Sequence, residues 1–308
     1  MIITLTPNTA LDHSLQVSSF QLNSTIRAID SAWGMGGKAA DASWILGKLG
    51  ISTRALGFAA GPNGLRMENM LRARGVETDF TWVEGETRLN SVIVIPGEGH
   101  STLTTSSLNV SPTHLSELTV RYQKALEGAS CVITGGSLPK GVPSEFFAEA
   151  IAEAQRRGVP VIFDSSGPPL LAGLKSHPKF IKPNLAELGN LLGYMPVSRS
   201  EVQRAALKLR QEFGTDVIVT LGAEGAMAVF GSASYFIHPI SIPVLSAAGA
   251  GDGVLAGMAL AYSRHEPFEN GLRYGFALAG AILRTLATAD FIVEDYQELL
   301  SRICITRL

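Results

Sequence analysis

The 308-residue chain has few of the features that mark secreted, membrane-spanning or nucleic-acid-binding proteins. Its two cysteines, Cys131 and Cys304, are too few for a disulfide framework or a cysteine-based metal site, so we expect reduced thiols. The 25 basic and 27 acidic residues nearly balance, which argues against a nucleic-acid partner. The most apolar stretch, residues 254–262, is shorter than the ~20 residues of a bilayer span, and the N-terminus lacks the pattern of a signal peptide. We therefore expect a cytoplasmic protein without a membrane partner.

Short β-branched runs alternate with segments of helical periodicity along most of the chain. Strands are predicted at residues 2–6, 53–58, 130–135, 159–164, 180–184 and 216–221, and helices at residues 37–49, 63–74, 144–157, 252–262, 268–286 and 294–303. Strands that alternate with helices of this length indicate a largely parallel sheet covered on both faces. The hydrophobic fraction of 46% suffices to bury one large α/β domain or two small ones.

Two regions break this alternation of strands and helices. Residues 13–33 and 87–106 instead alternate polar and apolar side chains, and P-G-E-G-H in the second region is a hairpin signal. We expect both regions to form one small sheet that stands off the main domain. Such a sheet would act as a lid, as a dimer surface, or as both.

The motif G-A-G-D at residues 249–252 is the first candidate for chemistry. Gly249, Ala250 and Gly251 bring almost no side chain, so backbone N–H groups can converge where the following helix directs its positive dipole end. The dipole would keep Asp252 ionised beside this anion site, as expected of a base that takes a proton from a hydroxyl during phosphoryl transfer. The alternative is an ordinary aspartate at a helix start after a glycine turn.

A second glycine cluster, W-G-M-G-G-K-A-A-D-A at residues 33–42, opens the first long helix. It matches neither the P-loop nor the G-x-G-x-x-G pattern. The bare backbone, with Lys38 and Asp41 at the helix start, would let a ligand approach closely. A tight turn between strand and helix is the structural alternative.

Four further motifs lie at strand ends, and most have a structural alternative as well. K-P-N-L-A-E at residues 182–187 offers amide and carboxylate oxygens to Mg²⁺, or a capping box. V-T-L-G-A-E-G-A at residues 219–226 is typical of a hairpin. T-G-G-S at residues 134–137 exposes a serine at a turn. T-R-L-N at residues 87–90 begins with an arginine that, facing inward, would suit a phosphate.

The order of these motifs is more specific than any one of them. Asp12 after the first strand, then G-G-K, T-R-L-N, G-S-L-P-K-G, K-P-N-L-A-E, T-L-G-A-E-G and G-A-G-D form a series that spans nearly the whole chain. This series resembles the ribokinase-like carbohydrate kinases of the phosphofructokinase B family, and most closely the branch of 1-phosphofructokinase and tagatose-6-phosphate kinase. The resemblance implies a three-layer α/β/α sandwich with a mostly parallel central sheet, one kinase domain over residues 1–308, and a β lid from about residues 12–34 and 87–107.

The resemblance also implies an activity, its cofactors and its site residues. The reaction would be ATP- and Mg²⁺-dependent phosphorylation of a ketohexose monophosphate such as fructose 1-phosphate or tagatose 6-phosphate. The β lid could also join two copies into a homodimer. Asp252 would be the catalytic base, and Gly249, Ala250 and Gly251 the anion hole. The implied substrate-binding residues are Asp12, Arg27, Gly36, Gly37, Lys38, Asp41, Arg88 and Ser137. The implied nucleotide-binding residues are Lys182, Asn184, Thr220, Gly222, Gly225, Val244, Phe276 and Gly280, and Glu187 would act on Mg²⁺.

Two residues at the start of the first long helix depart from the family pattern. Ala39 and Asp41 stand where glycine and asparagine are usual. A carboxylate at position 41 would accept hydrogen bonds without donating them, and it would repel an anionic acceptor. Two alternatives therefore stay open: a kinase of an unphosphorylated sugar or a nucleoside on the same fold, and a ligand-binding protein with altered catalysis.

Overall fold

The computed structural model describes all residues from 1 to 308. In chain order, the strands are β1 (Ile2–Thr6), β2 (Ala10–Gln16), β3 (Asp30–Gly36), β4 (Thr53–Ala59), β5 (Glu77–Trp82), β6 (Arg88–Ile95), β7 (Gly99–Thr104), β8 (Cys131–Gly135), β9 (Val161–Asp164), β10 (Phe180–Ile181), β11 (Asp216–Thr220), β12 (Ala226–Phe230), β13 (Ala233–Ile237) and β14 (Ile305–Arg307). The helices are α1 (Lys38–Lys48), α2 (Gly61–Ala73), α3 (Pro112–Ala125), α4 (Phe146–Arg156), α5 (Gly167–Leu174), α6 (Leu185–Leu192), α7 (Arg199–Phe213), α8 (Ala250–Ser263), α9 (Phe268–Ile282) and α10 (Val293–Leu300). None of the helices has both the length and the apolar character that a membrane span requires.

Ten strands form the central sheet, in the order β14-β13-β12-β11-β10-β9-β8-β1-β4-β5. Neighbouring strands from β11 to β5 run parallel, and β11 to β14 form an antiparallel edge. The chain builds outward from β1 through β4 to β5, and later continues on the other side of β1 from β8 to β11. This reversal leaves a crevice at the carboxyl ends of β1 and β8, which is where ligands bind in open α/β sheets.

Side chains of the parallel strands alternate between two apolar cores, as the pleat of a strand requires. In β1, Ile2 lies in the core that α1, α2, α8, α9 and α10 cover. The next residue, Ile3, lies in the core that α3, α4, α5, α6 and α7 cover. The sheet is therefore the middle of three layers, and the predicted α/β/α architecture is confirmed.

A separate sheet of four strands, in the order β3-β2-β6-β7, is the predicted small sheet. The P-G-E-G-H segment joins β6 to the antiparallel β7, as its turn residues predict. The first region forms strands only at Ala10–Gln16 and Asp30–Gly36, so residues 17–29 connect β2 to β3 without a strand of their own. The description of residues 1–308 as one domain with an inserted lid stays a prediction.

The strand predicted at residues 180–184 is wrong beyond Ile181. Pro183 has no N–H to donate to a ladder, and Asn184 already caps α6. A single bridge between Asn184 and Thr220 is all that continues the pairing. Lys182, directly after β10, contacts Asp164 at the end of the neighbouring strand β9.

Candidate active site

The G-A-G-D loop begins α8 with bare backbone. Gly249 has a φ of 81°, and a Cβ there would lie 2.4 Å from the Ala289 backbone nitrogen, so only glycine fits. The helix start has no side-chain cap, and the N–H groups of Gly249 and Gly251 donate to no backbone carbonyl. Two free N–H groups at the positive end of a helix dipole form a binding site for an anion.

Asp252 lies on the first turn of α8 and is 9% exposed. The sequence predicts that the helix dipole keeps this carboxylate ionised, but the structure shows an opposing effect. Burial raises the pKa of Asp252 above its ordinary 3.8, and the nearby ammonium groups of Lys38 and Lys182 pull it back down. Asp252 therefore combines a proton affinity above that of an ordinary aspartate with cations that keep its ionised form accessible, as a general base requires.

Asp164, at the end of β9, holds the two lysines in place. Its Oδ2 lies 2.9 Å from the Lys38 Nζ and 3.2 Å from the Lys182 Nζ. Although burial opposes ionisation, the two ammonium groups lower the pKa of Asp164 below its ordinary value. A Cβ on Gly251 would lie 3.1 Å from the Lys182 Nζ, so this ammonium group lies directly against the anion site.

The small sheet contributes Asp12, on β2, to the same crevice. The Asn90 Nδ2 of β6 donates a 2.7 Å hydrogen bond to the Asp12 Oδ1. A Cβ on Gly36 would lie 2.1 Å from that oxygen, so the missing side chain makes room for the carboxylate. Burial raises the pKa of Asp12 to about 6, against the hydrogen bond from Asn90 and the charge of Arg88. Asp12 is thus a buried acceptor held ready for a polar ligand.

Replacing Asp12 by asparagine should stabilise the fold above neutral pH. Its folded-state pKa of about 6 exceeds the ordinary 3.8, so the folded state binds more protons between these values and loses stability as the pH rises through about 6. We expect Asp12→Asn to unfold with a free energy higher by at most about 3 kcal/mol above about pH 7, at 1.36 kcal/mol per pKa unit. Urea unfolding across the pH range checks this. A gain that persists undiminished below about pH 4 would contradict it.

Arg88 begins β6 and is partly buried at the mouth of the crevice. Its guanidinium donates to the Asn8 carbonyl at 3.2 Å and to the Thr104 Oγ1 at 3.3 Å, while its buried Nε has no partner. The Asn8 side chain donates to the Ser137 Oγ at 2.8 Å. Arg88 and Ser137 therefore meet at Asn8, and the guanidinium keeps unused capacity for an anionic ligand.

Arg27 is exposed in the segment between β2 and β3 and forms no hydrogen bond or ion pair. The role of Arg27 stays a prediction.

Gly37, the N-cap of α1, has a φ of 100° and leaves the first turn of that helix without a side-chain cap.

The K-P-N-L-A-E motif forms the capping box that the sequence offers as its structural alternative. The Asn184 Oδ1 accepts from the Glu187 N–H at 2.8 Å, and the Glu187 Oε2 accepts from the Asn184 N–H at 2.9 Å. The other oxygen of Glu187 lies 4.0 Å from the Lys38 Nζ, so the capped carboxylate also faces the crevice. No group of three or more His, Cys, Asp or Glu residues could hold a metal ion by itself. This donor set fits Mg²⁺ that arrives with phosphate and water ligands, which usually takes only one or two carboxylates from the protein.

The remaining predicted nucleotide residues divide by exposure. Gly222 is exposed, with nothing within 4 Å of a Cβ placed there, and Thr220 ends β11 beside Asn184. Gly225 serves the β11–β12 hairpin, since a Cβ there would lie 2.2 Å from the Ile237 carbonyl. Val244 is also exposed, at 51%, whereas Phe276 and Gly280 lie on α9.

Ion pairs, hydrogen bonds and close charges link eight of these side chains into one cluster: Asp12, Lys38, Asp41, Arg88, Asp164, Lys182, Glu187 and Asp252. The sequence did not single out Asn8, Asn90 or Asp164. Asn8 belongs to T-P-N at residues 6–8, Asn90 to T-R-L-N at residues 87–90, and Asp164 to F-D-S-S at residues 163–166. Each is an acid or amide in or just after a strand, and this position is the signal by which the sequence could have identified them.

An anion site at a helix start, beside a buried aspartate and two lysines, defines the protein as an α/β phosphotransferase with a hydroxyl acceptor. The family model described as pfkB family carbohydrate kinase matches residues 8–294, and the chain belongs to this family.

Three relatives illustrate the similarity. The chain is 30% identical to a 1-phosphofructokinase of Bacillus subtilis, with all of both chains covered. A Thermotoga maritima structure described as a possible 1-phosphofructokinase is 26% identical and superimposes with a TM-score of 0.89, covering 100% of this chain and 99% of that one. The tetrameric inhibited form of phosphofructokinase-2 from Escherichia coli is 25% identical, with a TM-score of 0.87 and 98% of each chain covered.

Proposed function

We propose that the protein is an ATP-dependent kinase whose acceptor is a ketohexose monophosphate. The partly buried Arg88 carries the anionic part of this proposal, since its Nε has no partner and its neighbours Asn8 and Ser137 are polar. Two of the relatives described above bear the name 1-phosphofructokinase, one of them as a possible one, which supports the same substrate class. We further propose that it works in the cytoplasm, where ATP and sugar phosphates are supplied.

In the proposed reaction, Asp252 accepts the proton of the acceptor hydroxyl as that oxygen bonds to the γ-phosphorus of ATP. The bond from the γ-phosphorus to its bridging oxygen breaks, and ADP leaves. The free N–H groups of Gly249 and Gly251, with Lys182 beside them, stabilise charge on the transferred group. Asp12 accepts a hydrogen bond from the sugar. Glu187 would help to hold Mg²⁺, which would supply positive charge against the phosphates when bound.

Replacing Arg88 by alanine tests the anionic acceptor. A hydrogen bond to a charged group contributes about 1.5–3 kcal/mol, so we expect the KM for a phosphorylated ketohexose to rise roughly 10- to 100-fold. The KM for ATP should stay within about twofold, because Arg88 lies at the acceptor end of the crevice. A coupled ADP-release assay over phosphorylated and unphosphorylated sugars and nucleosides measures both. Equal KM values for wild type and variant with every phosphorylated sugar would favour an unphosphorylated acceptor instead.

We also propose that the small sheet forms a homodimer contact. The edge strand β7 is exposed along its whole length, and Leu103 on it is 59% exposed. An open strand edge with an apolar side chain is stabilised by a partner. The structural relative from Escherichia coli is described as a tetramer, which is compatible with association of this kind.

A further inference from the structure

Asp41 and Asp164 are equally enclosed aspartates with opposite surroundings. Asp41 is 4% exposed and Asp164 is 1% exposed. Asp164 contacts the ammonium groups of two lysines. Asp41 forms no ion pair. The Oδ1 atom has no hydrogen-bond partner in either residue, so the two ammonium groups at Asp164 are what distinguishes them. An ionised carboxylate is costly to bury without a cation, so these surroundings favour a different protonation state for Asp41.

The charges that face Asp41 are mostly negative. Asp252 on α8 lies within hydrogen-bonding reach, Asp12 on β2 lies nearby, and Arg88 on β6 is the one opposing cation. Lys38, on the same helix, directs its ammonium group to Asp164 instead. Burial first, and then the charges of Asp252 and Asp12, raise the pKa of Asp41 well above its ordinary 3.8. The dipole of α1 acts in the other direction, because Asp41 lies in the first turn of that helix, but such an effect is typically only about 0.3–1 kcal/mol.

The proton of this pair belongs on Asp41, because the charges of two lysines act on its partner and only Arg88 acts on Asp41. Lys38 and Lys182 both favour the ionised form of Asp252, against the negative charge of Asp164. The hydrogen bond from Asp41 favours the ionised form further. Two carboxyl groups at hydrogen-bonding distance share one proton, as in other carboxylate dyads. The pair then carries a single negative charge, on the oxygen atoms that the proposed reaction needs.

We propose that Asp41 works as a neutral carboxylic acid, a positioning residue that donates a hydrogen bond to the Asp252 carboxylate. This inference rests on the proposed function at one point, because it takes Asp252 as the catalytic base. A protonated Asp41 offers one donor and one acceptor, as an asparagine side chain does. The neutral acid adds no charge that would repel a phosphorylated acceptor. This differs from the expectation drawn from the sequence, in which an ionised Asp41 repels such an acceptor. As the pH rises and Asp41 loses its proton, a second charge appears beside Asp252 and the base loses its hydrogen bond.

The protonation state can be read without any assay of activity. Carbon-13 NMR of protein labelled at the aspartate carboxyl carbons should show one buried carboxyl that stays protonated at neutral pH. This resonance should be missing from Asp41→Asn. Asp79→Asn, in a half-exposed aspartate paired with Arg121 on the far edge of the sheet, is the matched control and should keep it. A wild-type spectrum at neutral pH in which every aspartate is ionised would overturn the inference, whether or not the protein phosphorylates the expected acceptor.

The kinetic consequence is tested by comparing Asp41→Asn with Asp41→Ala. Both remove the titrating group, but only asparagine restores a donor to Asp252. We expect kcat/KM for the acceptor to be at least about tenfold higher in the asparagine variant at neutral pH. We expect kcat/KM of the wild type to fall at alkaline pH as Asp41 loses its proton, and this fall should be missing from Asp41→Asn. Equal activities of the two variants would show that Asp252 needs no donor at position 41, and an unchanged alkaline loss in Asp41→Asn would show that another group titrates. Either result would overturn the inference. If no variant and no wild type turns over, the proposed function fails, and the NMR result alone decides on Asp41.

Discussion

Asp252→Asn should lower kcat by about 10²- to 10⁴-fold, the usual contribution of general base catalysis. Asparagine keeps the size and hydrogen-bonding shape of the side chain but cannot take a proton from the acceptor hydroxyl. The protonated Asp41 can still donate to it, so the local packing should persist. Single-turnover measurements of ADP formation report the chemical step, and calorimetry with a non-hydrolysable ATP analogue and with the acceptor reports binding.

The same experiment separates catalysis from folding and binding. We expect the dissociation constants of the nucleotide analogue and of the acceptor to change by no more than about threefold, because the interaction removed belongs to the transition state. Asp79→Asn is again the matched control, since that carboxylate lies on β5 at the edge of the sheet. An Asp252→Asn enzyme with nearly wild-type turnover would remove the base from the account.

Gly251→Ala should lower kcat by about 10²- to 10³-fold without unfolding the protein, since loss of one donor to a developing anion costs roughly 3 kcal/mol. The backbone of Gly251 needs no left-handed conformation. An added Cβ would meet only the Lys182 side chain, at 3.1 Å from Nζ and 3.5 Å from Cε. The methyl group would thus cover the anion site and displace an ammonium group while the helix stays intact.

Gly249→Ala gives the contrasting result two residues earlier. Its φ of 81° and the 2.4 Å approach of a Cβ to the Ala289 nitrogen predict a loss of stability as well as of activity. Gly249→Ala should therefore lower both the unfolding temperature and kcat, whereas Gly251→Ala should lower kcat alone. A Gly251→Ala enzyme that keeps its turnover, or that unfolds as readily as Gly249→Ala, would contradict the anion site.

The parallel part of the fold could be predicted because its signals are local. The runs at residues 2–6, 53–58, 130–135 and 159–164 are mostly apolar, and each contains a buried strand. The edges were harder to predict. The last strand, β14, pairs with β13 in an antiparallel register that sets Tyr235 opposite Arg307, and a hydrophobic pattern does not reveal pairing between partners so far apart in sequence.

The candidate site shows a similar division between local and long-range signals. G-A-G-D, G-G-K and T-R-L-N contain their own glycines and charges, so the sequence identifies them as ligand-binding candidates. The state of Asp41 depends on Asp252, which lies more than two hundred positions later, and on the two lysines that Asp164 holds. Whether a buried aspartate is an anion or an acid depends on such long-range neighbours, and only the folded arrangement reveals them.

Phosphorus-31 NMR of one mixture tests the central claim most directly. Purified protein is incubated with ATP, Mg²⁺ and fructose 1-phosphate or tagatose 6-phosphate, and the phosphorus resonances are followed with time. The account predicts that ADP and a new sugar phosphate monoester appear in equal amounts with at least one of these acceptors. Release of inorganic phosphate alone, or no change with any ketohexose monophosphate, would contradict it.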